Sequence, residues 1–137
     1  MNLNKKTVIV ILFLCTHSVY SHDKPSEQER LEKIDYYSFG LNGFAGKESE
    51  GEHLYRLILQ RDNAAKIFLD IATSNNSTNE SKLYAACALR TLGVGDINET
   101  FNQFQDEEVV VLTGDILRRV SFKEKISEII KHGCDLI

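Results

Sequence analysis

Cys87 and Cys134 are the two thiols of this chain that stand outside its N-terminal apolar stretch. In an oxidising compartment such a pair is expected to form one disulfide, tying a central segment to the C-terminal tail. Closing a loop of that length is worth roughly 3–4 kcal/mol. A buried free thiol at Cys87 is the alternative, because cysteine packs well as a small hydrophobe. No Cys-x-x-Cys motif occurs, which argues against a catalytic thiol. The histidines carry less. Cleavage after Ser21 would leave His22 first, where its amine and ring nitrogen can chelate copper with help from His53 or His132. No zinc-type histidine spacing is present. The expectation is therefore solvent-facing histidines, no metal and no cofactor.

Acidic residues cluster at Glu48, Glu50 and Glu52, and again at Asp106, Glu107 and Glu108. A catalytic pair of carboxylates needs a cleft that raises one pKa. Beside helix starts, such runs read instead as solvated groups favoured by the helix dipole. Their remaining use is as an acidic surface for a basic protein partner, since clustered charge steers association. Gly40-x-x-Gly43-x-x-Gly46 lacks the Gly-Lys-Ser/Thr ending of a phosphate loop and follows no strand. It reads either as a tight connection or as a partner-contact loop, with Phe39, Leu41 and Phe44 as anchors. Large apolar side chains are costly in water, so these three must dock on the core or on another protein. No Gly-x-Ser-x-Gly elbow occurs. Together these features predict a binding protein, not an enzyme.

The elements that position these residues are mostly helical in pattern. Pro25-Ser26 opens a helix over residues 27–38, with Leu31, Ile34 and Tyr37 on one face. Ser49-x-x-Glu52 reads as a capping box, followed by Leu54, Leu57 and Ile58 as a buried stripe. Residues 61–63 separate that helix from the next, where Ala64, Ile67, Phe68 and Ile71 share a face. After the polar connector 74–79, residues 80–92 are apolar nearly all round and belong at the centre of the core. Gly93 is the expected stop. Asp96-x-x-Glu99 and Ser121-x-x-Glu124 cap two further helices, the last carrying Phe122, Ile126, Ile129 and Ile130 inward. Only residues 109–113 (VVVLT) are strand-like, and a lone strand has no partner. The fold class expected is thus all-α, a compact bundle of about six short helices.

Residues 1–21 read as a separate object. Lys5 and Lys6 precede the apolar run 7–14, and Val19-Tyr20-Ser21 offers a cleavage site: the three parts of a secretory signal peptide. The run is too short to span a bilayer. Cys15 raises lipidation, the one route here to a membrane, but Leu14 departs from the small residue a lipobox has at that place. The short Lys-and-Asn start looks bacterial, which points to a periplasm or the exterior. What remains, residues 22–137, is one helical domain. Losing two lysines takes the formal charge from −4 to −6. An acidic chain of ordinary globular composition is not a nucleic-acid binder.

Residues 64–93 form a helix–connector–helix unit whose second helix, SKLYAACALRTLG, resembles the inner helix of a HEAT-type repeat. That resemblance implies a helical pair that stacks and shows a surface to a partner. The wider pattern resembles small exported bacterial proteins of no assigned function, through residues 39–46, Ser49-Glu50-Gly51-Glu52, Lys82-Leu83-Tyr84, Leu89-Arg90 and Gly114. The function expected is an exported protein-binding domain, such as an inhibitor or immunity protein blocking a basic toxin or cell-wall hydrolase. The alternative is a metal-binding accessory protein or a small enzyme of the envelope.

Overall fold

The computed structural model describes residues 24–134. The expected signal peptide, with Cys15 and His22, lies outside them. The described chain runs α1 (Glu27–Leu31), α2 (Glu50–Leu59), α3 (Ala64–Thr73), α4 (Asn79–Leu92) and α5 (Ile97–Phe101). A 3-10 turn (Asn102–Phe104), β1 (Glu108–Thr113), β2 (Ile116–Ser121) and α6 (Phe122–His132) follow.

The all-α expectation is wrong. Residues 109–113 do have a partner: β1 and β2 form an antiparallel hairpin, with Val109 opposite Val120 and Thr113 opposite Ile116. The turn is Gly114-Asp115, with Gly114 at φ +61°, a conformation that favours glycine. The fold is therefore mixed, helices plus a two-stranded sheet. β2 reads poorly as a strand because Ile116, Leu117, Arg118 and Arg119 are all exposed. Only Val120 is partly buried, so the strand shows no alternation.

Helix α4 lies at the centre, as its all-round apolarity predicts. Every residue from Ser81 to Leu89 is buried. Helices α2, α3 and α6 and strand β1 all pack on it. The α3–α4 pair exists, but no second pair stacks on it among the described residues. A single pair enclosed by other elements is not a repeat array, so the helical-repeat reading is corrected.

The first helix also differs from its pattern. It ends at Leu31, yet Leu31, Ile34 and Tyr37 are all buried. Beyond it the chain is held open by Thr78, whose N–H donates to the Glu32 carbonyl at 2.9 Å and whose hydroxyl donates to the Ile34 carbonyl at 2.6 Å. Tyr37 then lies beside β1, its N–H donating to the Val110 carbonyl and its carbonyl accepting from Leu112 N–H. Tertiary bonds outcompete a continued helix here.

Candidate functional site

The candidate site is a groove where the glycine loop, the hairpin and the end of α6 meet. Its foundation is Tyr84 on α4. The buried phenol donates to the Ser38 carbonyl at 2.8 Å, accepts from Ser38 N–H at 2.9 Å and lies 3.3 Å from the Ser49 hydroxyl. One side chain thereby fixes both the start of the glycine loop and the start of α2. Gly51, on the first turn of α2, makes this approach possible. A Cβ there would stand 2.5 Å from the Tyr84 oxygen.

The capping box is only half made. Ser49 accepts from Glu52 N–H at 3.1 Å. The Glu52 carboxylate, however, is buried and turns to the loop, accepting from Gly40 N–H at 2.8 Å and from Arg56 at 2.5 Å. That carboxylate is a second anchor for the loop. Gly40, Gly43 and Gly46 all have positive φ, at 86°, 73° and 57°. Substituted residues would be strained there, which is why the loop needs glycine at that period.

The three expected anchors part company. Phe39 docks on the core, with ring centroids 5.1 Å from Tyr55 and 5.4 Å from Tyr84, so it is not a free contact. Leu41 is 72% exposed and Phe44 fully exposed. The hairpin tip adds Ile116 and Leu117, at 53% and 59%. The two segments adjoin: a Cβ built at Gly43 would lie 3.4 Å from the Asp115 carboxylate. Between the loop, β1 and α6 runs a groove of about 450 Å³ lined by Phe39, Leu41, Leu112, Lys125, His132 and others.

Cys87 and Cys134 are joined in a disulfide, and Cys134 is among the residues that line that groove. The bond fits an oxidising, exported environment. No helix among the described residues is long and apolar enough to cross a membrane. Of the five expected acidic contacts, Glu48 and Glu50 are engaged within the chain. Glu48 pairs with Arg56 at 3.0 Å and stands 3.5 Å from His53, and Glu50 pairs with Arg30 at 2.6 Å. Asp106 and Glu107, just before β1, and Glu108, at its start, are exposed and lie outside the groove. Among the described residues no three metal-ligating groups cluster.

Burial pushes the Tyr84 phenol up to about 12, against the pull of its bonds to Ser49 and Ser38. The folded state thus holds the neutral phenol more firmly than the unfolded chain does. The resulting stability is complete below about pH 10 and is lost as pH rises towards 12. A rise of that size corresponds to roughly 2–3 kcal/mol. Tyr84→Phe should remove this alkaline loss of stability while weakening the fold by about 1–3 kcal/mol at neutral pH, because Ser38 and Ser49 lose a partner. Urea unfolding at pH 7 and across pH 10–12 reads both effects. Identical alkaline curves for the two proteins would refute the assignment.

Comparison with family models, with curated protein sequences and with solved structures gave no match.

The sequence reading missed Ile116, Leu117, Arg118 and Arg119. The signal was present: a Gly-Asp pair between two six-residue runs is a hairpin cue. It also missed Tyr84, whose hydroxyl role follows from three-dimensional neighbours.

Proposed function

We propose that this chain is an exported protein-binding domain, active in the periplasm or outside the cell after loss of the N-terminal segment. Its contact face is the glycine loop with the hairpin tip. The observation that carries this is the placement of Phe44 and Leu41 in water on a loop held at its start by Tyr84 and Glu52. Neighbouring large apolar side chains on a braced scaffold mark an interaction site. A braced loop also loses little freedom on binding, which favours affinity. The disulfide supports export, as does the basic and apolar pattern of residues 1–21. Glu48 and Glu50, expected as contacts for a basic partner, already neutralise arginines of their own chain, so the apolar face supports the reading better.

The test is a paired capture. Wild-type protein and the variant Leu41→Ser/Phe44→Ser are used as baits in an extract of the exporting compartment. The variant should keep its stability within about 0.5 kcal/mol, since neither side chain is buried. It should lose the proteins that the wild type retains specifically. Equal capture by both baits would overturn the proposal.

A further inference from the structure

The outer edge of the hairpin carries information that the apolar patch does not. Val110 and Leu112 turn their backbone groups towards Tyr37, so Val109, Val111 and Thr113 turn theirs towards β2. In an antiparallel pair these directions alternate. Leu117 and Arg119, opposite Leu112 and Val110, therefore direct their N–H and C=O away from β1. Outside the hairpin, neither makes a backbone hydrogen bond among the described residues. An exposed strand edge of this kind is a template for another strand.

The side chains on that edge have a pattern. Ile116 and Arg118 share one face, and Leu117 and Arg119 the other. Each face thus shows one apolar group and one guanidinium. No carboxylate pairs with Arg118 or Arg119 among the described residues. A second copy of this chain is a poor occupant, because the antiparallel self-pairings that overlap most of β2, those centred on Arg118 or Arg119, set arginine against arginine. An anionic polysaccharide would meet the guanidinium groups but leave the backbone donors and acceptors unused.

We propose that β2 accepts an extended segment of the partner protein by strand addition. In antiparallel pairing, two adjacent acidic residues followed by two apolar ones would lie across Arg119, Arg118, Leu117 and Ile116. Main-chain bonds supply affinity and the alternating side chains supply specificity. This rests on the protein-binding reading above and names the chemistry of the partner.

The probe is a capped peptide, Thr-Glu-Glu-Ile-Val-Thr, added to the isotope-labelled protein, with a counterpart carrying lysine for glutamate. The acidic peptide should shift the backbone amides of Leu117 and Arg119 and slow their hydrogen exchange. Arg118→Glu/Arg119→Glu should weaken this binding on the order of tenfold or more. Leu117→Pro should abolish it, because its N–H points outward and the hairpin keeps its own bonds. High salt should weaken it. Several outcomes would overturn strand addition: no shift at millimolar peptide, equal response to the lysine peptide, shifts confined to residues 41–46, or self-association without peptide. Used as a bait in the paired capture, Leu117→Pro separates the two claims. If it retains the partner while Leu41→Ser/Phe44→Ser loses it, protein binding stands and strand addition fails.

Discussion

Replacing Cys134 with serine should lower the free energy of unfolding by about 3–4 kcal/mol. The bond joins α4, at the centre of the core, to the turn after α6, across a separation of 47 residues. The segment so closed contains α5, the hairpin and α6. Without the link, the unfolded chain regains the freedom of that loop, and the helix carrying Phe122, Ile126 and Ile129 is no longer tethered at its end. Cys134 is the better site for the test because it is partly exposed, so a serine hydroxyl there can reach water. At Cys87, fully buried with its sulfur 3.1 Å from the Tyr37 hydroxyl, a serine would add a second cost. For a domain of this size the melting temperature should fall by more than about 10 °C. Reductant should produce the same loss in the wild type and none in Cys134→Ser. A loss below about 1 kcal/mol would show that the core holds α6 unaided.

Gly51→Ala should cost about 3 kcal/mol, against the usual preference of a helix. Elsewhere in a helix alanine is favoured over glycine by up to about 1 kcal/mol. Here the added methyl would stand 2.5–2.6 Å from three atoms of the Tyr84 ring and hydroxyl. Neither side can yield cheaply. The tyrosine is buried and held by Ser38 and Ser49, and α2 is fixed by Leu54, Tyr55 and Ile58 in the core. Overpacking of this kind forces off-rotamer side chains or a backbone shift. The check is a double-mutant cycle in urea with Tyr84→Leu, which removes the ring atoms that clash. The two changes should be strongly non-additive, the alanine costing little once Tyr84→Leu is in place. Simple additivity would mean that the contact is not the cause. A wild-type-like Gly51→Ala would mean that α2 and α4 lie further apart than described.

These two results concern contacts that differ in how far they can be read from the chain. The cysteine pair was visible as a candidate, because two thiols have few other uses if the chain is exported. Its formation was not, since that depends on α6 bringing Cys134 back beside α4. Gly51 carried no local signal at all. It lies inside a helix, where glycine is unfavourable, and its reason is a tyrosine 33 positions away. The glycine loop lay between these cases. Its period marked a turn-rich segment, but whether Phe39, Leu41 and Phe44 dock inward or face water depended on Tyr55 and Tyr84.

Local chemistry alone determined the helix starts at Ser49 and Asp96, the stop at Gly93 and the central place of α4. Each of these follows from a cap hydrogen bond, a backbone conformation or an all-round apolar surface, which neighbouring residues decide among themselves. The tertiary structure alone decided that α1 stops early and that Phe39 is core while Phe44 is surface, and it gave residues 109–113 the strand partner that only the Gly114-Asp115 turn hinted at. Those outcomes turn on pairings between distant backbone groups and on which rings fill the interior. A strand such as β2, exposed from Ile116 to Arg119, leaves no periodic mark, because only burial imposes one.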